Sequence, residues 1–525
     1  MKKISFIQLV SLFFFAVLLL FSLKNFSIVS EYFKDEGNKD ISFSDFASDI
    51  SEKYKNDFSN KTDMIDINGL FVRAMGQKTS NNILIGTNGY LLPETEDRVK
   101  TEEQIKNVSG LAAALKKMDI PYFYCSLPYK VDFNGEMLPT GYYNYTNENV
   151  DEFLAGLTSA GVKFLDLRPE MSDSMEHISQ YYYKTDHHWT PVGAFFAFGR
   201  ISEYLQEMFP DEKILSEKQN IENWNINRLE NWFLGSQGKR VGKFFGGTDD
   251  LIWLTPKFET EMECYVPDRY MFNSGDFTES VIRDKYISTK DYYETNPYCV
   301  YIGGDYPLVI HRNRNADVDL KVLILKDSFV LPLQSYFSTV FSQVDVIDLR
   351  NYTSSSLMDY IQFNKPDVVF SALTAGSIGE TIQFQYGDTS KIYDLSTETA
   401  ENIVELDYLQ LKESNNNYYY KSIYDTLKSN CIYRLSIDSI DVLSGRPEAI
   451  SISIFNKEAN KRLSSYIFPS SSFLDSEELT ITFKVPDSKT DSELLLYSGV
   501  IGKTKNISVQ YNGVHLEKLN YDLVS

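Results

Sequence analysis

The sequence predicts an α/β protein held to a membrane by an N-terminal anchor and closed by a C-terminal β-sandwich. Three observations carry this reading. An apolar run of about twenty residues follows two lysines at the start, MKKISFIQLVSLFFFAVLLLFSLKNF. From NNILIGTNGYLL onward, apolar strand patterns alternate with helical ones, the signature of an α/β sheet. After about residue 400 the helix signals stop and alternating strands recur at regular spacing between Gly, Pro, Asn, Asp and Ser, as in a sandwich.

The apolar run from Ile4 to Leu23 is long enough to span a bilayer at about 1.5 Å per residue, and the lysines ahead of it place the N-terminus inside. A cleaved signal peptide is the rival, but the run is long for one and no A-x-A site follows. Residues 1–30 are therefore expected to form a single-pass anchor in the cell membrane, with the bulk of the chain on the extracytoplasmic side. Residues 31–80 read as a charged stalk that becomes helical around FSDFASDISEKYKNDF.

An α/β domain is expected over 31–400 and a β-sandwich over 401–525. In the first, EEQIKNVSGLAAALKKM reads as a helix, IPYFYCSLP as a buried strand, NENVDEFLAGLTSAG as a helix and VKFLDLRP as a strand. TDHHWTP then leads into the helix VGAFFAFGRISEYLQEMF. Residues 210–300, polar and rich in Trp and Tyr, read as an irregular insertion or substrate-facing loops. Order returns with strand KVLILKDS, helix FVLPLQSYFSTVF and strands VDVIDLR and PDVVFSAL. In the second domain NCIYRLSIDSIDV, EAISISIF, ELTITFKVP, SELLLYSGV and NISVQYNGVHLEKL are the strand candidates.

At 525 residues, two or three domains are the expectation. The chain has 51 Lys and Arg against 73 Asp and Glu, a net charge of −22, which argues against a nucleic-acid partner. Its 36 tyrosines suit a surface that meets sugars, although most such rings belong in a core. Four cysteines, Cys125, Cys264, Cys299 and Cys431, show no CxxC spacing, so neither a zinc site nor a dense disulfide framework is indicated; one or two disulfides stay open.

Chemistry concentrates in two stretches. In TDHHWTP, Thr190 is an N-cap and Pro191 the first helical residue, which puts Asp186, His187 and His188 on the turn entering a helix. Alternation in an extended stretch sets Asp186 and His188 on one side and His187 and Trp189 on the other. Asp186 is then placed to accept from one ring nitrogen of His188 and leave the other as a base. In VLILKDSFVLPLQ, a strand ends at Lys326-Asp327 and a helix begins just after Ser328, a turn that exposes a hydroxyl beside backbone N–H groups. The plainer readings are a Ser328 that only caps its helix, a Trp189 that only packs, and a metal site at Asp186, His187 and His188. The last suffers because adjacent histidines should point apart. No cofactor motif is present, and no cofactor is expected.

Taken in order, TDHHWTPVGA, KVLILKDSF, VDVIDLRNY and PDVVF resemble the DHHW family of SGNH-type hydrolases, relatives of the periplasmic alginate O-acetyltransferases. IGTNGYLL and YIGGDYPLVIHRN add to the match, which spans roughly residues 41–375. The resemblance implies a flavodoxin-like SGNH sheet and a triad of Ser328 as nucleophile, His188 as base and Asp186 as orienting acid, with Arg350 supporting the site. Acid and base precede the serine, the reverse of ordinary SGNH esterases. It further implies transfer of acetyl groups onto a polysaccharide, the oxyanion held by the Phe329 N–H, and a multi-pass membrane acyltransferase as acetyl donor. Trp189 and Arg350 are the substrate-binding candidates. SALTAGSIGE departs from the family by lacking an acidic-arginine ending, and Asn351 stands where an aromatic is commoner. The final strands resemble carbohydrate-binding sandwich modules by pattern alone.

Overall fold

The computed structural model describes residues 43–58, 60–131, 135–411, 419–474, 478–487, 494–502 and 507–524, with scattered positions among the first thirty. Most of the expected anchor lies outside the described residues, among which no helix is long and apolar enough to cross a membrane.

Helices α1 (Phe43–Asp57) and α2 (Lys61–Ala74) precede a small antiparallel sheet formed by Thr79–Ser80, Ile83–Ile85 and Leu91–Pro93. The main body then assembles around helices α3 (Glu102–Lys117), α4 (Thr146–Ser159), α5 (Pro191–Met208), α6 (Ser236–Val241), α7 (Val330–Phe337) and α8 (Leu357–Asn364). Its sheet has eight strands: β1 (Tyr122–Leu127), β2 (Phe164–Asp166), β3 (Met262–Val266), β4 (Met271–Gly275), β5 (Leu308–Asn313), β6 (Val318–Lys326), β7 (Phe341–Ile347) and β8 (Val368–Thr374). They lie side by side as β2-β1-β8-β6-β7-β5-β3-β4.

The first five of these run parallel, and the last three add on antiparallel. Starting from the serine strand β6 and reading β7, β8, β1 and β2 as its successors, the order is the flavodoxin 2-1-3-4-5. The chain is circularly permuted relative to that order, which is why Asp186 and His188 come before Ser328. The inner parallel strands β1, β6 and β8 are buried along almost their whole length, as strands covered on both faces must be. Phe123, Cys125, Val322, Ile324, Phe370 and Ala372 face the layer of α5 and α7. Tyr122, Tyr124, Leu323, Leu325, Val369 and Leu373 face α3, α4 and α8. Period-two alternation thus splits one sheet between two cores.

The stretch 210–300 is more regular than its sequence led us to expect. It holds an antiparallel hairpin, Trp224–Phe233 with Asp249–Pro256, and it supplies β3 and β4 to the sheet. The polar residues lie largely on exposed faces of the hairpin, where a half-solvated strand carries them without cost. All four cysteines are free, so the disulfides left open above do not form.

Beyond β8 the chain is rich in strands, in two four-stranded antiparallel sheets. The first strand, Tyr393–Leu411, begins ahead of the expected position. These sheets enclose their own core of Leu435, Ile452, Leu496, Tyr511 and Leu516 among others. They meet the antiparallel edge of the main sheet: Arg462 stacks over Tyr270 at 3.5 Å and donates to the Asp268 carbonyl at 2.7 Å, while Tyr270 Oη lies 3.0 Å from Ser453 Oγ.

Candidate active site

Strand β6 ends at Lys326, and the chain turns through Asp327 and Ser328 into α7. The turn lies between β6 and β8, the point where parallel order reverses and where α/β sheets open a crevice. Asp327 is buried and fixes it. One carboxylate oxygen accepts the Phe329 N–H at 3.0 Å; the other accepts the Thr374 N–H at 2.7 Å and the Thr374 and Ser377 hydroxyls, each at 2.8 Å. The segment SALTAGSIGE, where the sequence leaves the family pattern, is therefore the clamp on this turn. Ser328 does not cap α7, which has no side-chain cap. Its hydroxyl lies 2.7 Å from His188 Nε2.

His188 Nδ1 in turn lies 2.5 Å from Asp186 Oδ1. With Nδ1 donating to the carboxylate, Nε2 is left to accept the Ser328 proton. Asp186 Oδ1 also accepts the His188 N–H at 3.0 Å, and Oδ2 accepts the Ser236 N–H at 2.6 Å. Burial pushes the Asp186 carboxyl up, but His188, His187 and the Ser236 N–H together outweigh it and hold the group well below the usual carboxylate range. Serine, histidine and aspartate thus form one hydrogen-bonded line across residues 140 positions apart.

Several residues that the sequence reading did not single out hold this line in place. Buried Lys130, just past β1, donates to the carbonyls of Tyr183 at 3.2 Å, Lys184 at 3.3 Å and Asp186. Burial lowers its ammonium to about 7, against the raising pull of Asp186 and Asp249. Asp249 accepts the Lys184 and Thr185 N–H groups, both at 2.7 Å, and the Thr185 hydroxyl at 2.5 Å. Gly235 approaches so closely that an added Cβ would fall 2.3 Å from Asp186 Cβ. Tyr298 stacks on His188, with centroids 3.8 Å apart and planes 13° apart, and its hydroxyl reaches the Ser328 and Phe329 carbonyls, each at 3.3 Å.

Beside the turn, Lys326 is fully buried and pairs with Asp305 and, at 3.7 Å, with Asp348. Arg350, partly exposed, closes the cluster on Asp348 at 2.6 Å and Asp305 at 3.4 Å. Burial would raise the Asp305 carboxyl, but Lys326 and Arg350 bring it below its ordinary value. Arg350 therefore stands at the site's margin with its charge already engaged.

Three expectations need correction. His187 does not point away from His188: the chain bends there, and the rings lie 3.8 Å apart. His187 Nδ1 sits 2.6 Å from Ser236 Oγ, and burial, then His188, lower this ring to about 3, so it is neutral at ordinary pH. Trp189 is not a substrate platform, because it has no exposed surface; its ring packs on Phe329 and its Nε1 donates to the Phe329 carbonyl at 2.9 Å. The Phe329 N–H is not open to an oxyanion, being held by Asp327. The Ser328 N–H, by contrast, meets no acceptor among the described residues. As for a metal, donor atoms of Asp186, His187 and His188 lie within 4.8 Å of one another. The Asp186–His188 contact leaves no room for an ion between its atoms, and His187 Nδ1 is engaged by Ser236, so the donor set fits a proton relay better than a cation site.

Residues 83–229, which include Asp186 and His188, match the family model of the SGNH hydrolase-like domain, acetyltransferase AlgX. No curated protein matches the chain at a significant level. Among solved structures, PatB1 of Bacillus cereus aligns with 23% identity over 58% of this chain and 99% of its own, at a TM-score of 0.49. A DHHW family protein from Eubacterium siraeum aligns with 19% identity over 58% and 95%, at 0.45. AlgX of Pseudomonas aeruginosa aligns with 14% identity over 84% and 94%, at 0.33. The likeness read from the motifs is borne out at the level of the family model: residues 83–229 are similar to the SGNH hydrolase-like domain of the acetyltransferase AlgX.

Proposed function

We propose that this protein is a serine-dependent O-acetyltransferase that modifies hydroxyls of an extracellular or cell-envelope polysaccharide. The observation that carries the reading is the hydrogen-bonded line from Ser328 through His188 to Asp186, at 2.7 Å and 2.5 Å. His188 Nε2 takes the Ser328 proton as Oγ attacks the acetyl carbonyl. The oxyanion forms beside the Ser328 N–H. As the tetrahedral adduct collapses, His188 returns the proton to the departing group and Ser328 keeps the acetyl ester. A sugar hydroxyl then attacks that ester while His188 accepts its proton, the oxyanion re-forms, and on collapse His188 returns the proton to Ser328 Oγ, which leaves as the free hydroxyl and releases the acetylated sugar.

Acetyl thioesters are cytoplasmic, so the reading includes a multi-pass membrane acyltransferase as donor and a chain anchored in the cell membrane with its bulk outside. The apolar run Ile4–Leu23 supports the anchor. The strand-rich C-terminal sheets are proposed to guide the polymer, in keeping with their likeness in pattern to carbohydrate-binding modules.

The test is hydrolysis of p-nitrophenyl acetate by the purified chain, followed by transfer to a panel of oligosaccharides. Ser328→Ala and His188→Ala are each expected to remove activity by about 10³-fold or more, and His187→Ala to keep it within about tenfold. Acetate release that no oligosaccharide accelerates or diverts would make the protein an acetylesterase. Unchanged polymer acetylation in cells carrying Ser328→Ala would leave a non-catalytic binding or assembly role and overturn the proposal.

A further inference from the structure

Helix α2 carries a buried face and, opposite it, an exposed apolar one. Asp66, Gly69 and Val72 are buried against the body of the protein, and an added Cβ on Gly69 would fall 2.3 Å from the Val241 carbonyl oxygen. On the far side Met64, Ile67, Leu70, Phe71 and Met75 are exposed by 41% to 66%. At about 100° per residue these five centre opposite the buried face, with Asp63 the one charge inside their arc. Phe244, on the adjoining Lys243–Gly246 turn that packs against α2, is likewise exposed. A continuous apolar stripe of this kind marks an interaction surface.

What covers it follows from where the helix starts. Lys24, the first residue beyond the apolar run Ile4–Leu23, donates its ammonium to the side chain of Asn60, the residue just ahead of α2. The start of α2 is therefore held where the apolar run ends. Lys61 and Arg73 stand near the two ends of the helix, while Lys243 beside it is paired with Asp66 at 2.8 Å.

We propose that the outward face of α2, with Phe244, lies in the headgroup region of the membrane that holds the N-terminal anchor. This rests on the anchoring reading above. It also fixes the active site's height above the bilayer. Gly242, at the end of α6, packs against Ile65 and Asp66 of α2, and the Ser236 N–H at the other end of α6 holds Asp186. The helix in contact with lipid is thus one short helix away from the triad acid, which keeps Ser328 close to a donor embedded in the same membrane.

The full chain is incorporated into phosphatidylcholine–phosphatidylglycerol vesicles, carrying an NBD fluorophore on Phe71→Cys with Cys299→Ser and Cys431→Ser. A second preparation carries the label on Asp211→Cys, an exposed position on the main body. Position 71 is exposed, so labelling leaves the core intact. Vesicle flotation reads the anchor, and emission wavelength with quenching by brominated lipid reads the helix. The expected result is a blue-shifted, bromine-quenched emission at 71 and a water-like one at 211. Flotation with a water-like signal at 71 overturns this inference alone. A shift at 71 that bromine does not quench and that grows with protein density puts a second copy on the face and overturns it too. Failure to float removes the anchoring reading and this one together.

Discussion

Replacing Gly235 by alanine isolates the position of Asp186 from every other property of the site. Gly235 has φ −70° and ψ 175°, a conformation alanine adopts freely, so no backbone strain enters. The added methyl would lie 2.3 Å from Asp186 Cβ and 2.4 Å from its Cα and N. Carbon atoms rest at about 3.5 Å or more, so roughly 1 Å of separation has to be found. The Ser236 N–H that holds Asp186 at 2.6 Å is the next residue along, and the displacement therefore strains the bond that orients the acid. A misplacement of about 1 Å in a reacting constellation costs roughly 100-fold in rate, or about 2.7 kcal/mol of barrier. Overpacking adds about 1–3 kcal/mol of lost stability. The measurement is p-nitrophenyl acetate hydrolysis per folded molecule, alongside the thermal midpoint. Gly199→Ala, where nothing lies within 4 Å of the new methyl, serves as control and is expected to gain about 0.5–1 kcal/mol in stability at full rate. A Gly235→Ala protein with wild-type rate and midpoint would refute the claim that this contact sets the acid.

Lys130→Met tests the buried ammonium through pH. Because burial lowers the folded pKa to about 7 against about 10.4 in the unfolded chain, the unfolded state binds more protons between those values, and wild-type stability rises with pH there. This group contributes up to about 1.4 kcal/mol per pH unit, so urea midpoints at pH 7, 8 and 9 should climb less steeply in the methionine variant; parallel slopes would contradict the assignment. Trp189→Phe loses the bond to the Phe329 carbonyl and is expected to cost about 1 kcal/mol in thermal stability while leaving the KM for an oligosaccharide acceptor unchanged. A raised KM with unchanged stability would return Trp189 to the substrate.

The regular parts of this architecture were legible because local chemistry and tertiary fate agree. Thr190-Pro191 reads as a helix start, and Thr190 indeed accepts the Gly193 N–H at 3.2 Å. The apolar run before Lys326 reads as a buried strand and is one. What stayed hidden depends on long-range contacts. Nothing near Lys130 in the sequence says that its ammonium meets carbonyls more than fifty residues on; an isolated lysine just past a buried strand was the one available signal. Tyr298, Ser236 and Asp249 lie in the stretch whose polar composition concealed its strands. The alternation rule paired Asp186 with His188 correctly but assumed an extended chain, and the bend at that point brings His187 back beside its neighbour. The Phe329 N–H was misjudged because a turn exposes its amides only until a side chain claims one, and Asp327 does so.

The permuted strand order has a consequence for how the protein comes into being. Strand β1 is made early, yet its inner neighbour is β8, with Tyr122 paired to Val369. Until residue 374 has been synthesised, β1 has only β2 beside it and leaves a long unpaired edge, the kind of surface that invites misassembly. Contacts so distant in sequence also slow folding. The middle of the sheet is thus laid down last, and a nascent chain holds Asp186 and His188 well before it has the strand that carries Ser328. A shortened chain ending before β8 would lose both the clamp on the Ser328 turn and the partner that protects β1, so a fragment that keeps the site intact has to reach beyond Ser377.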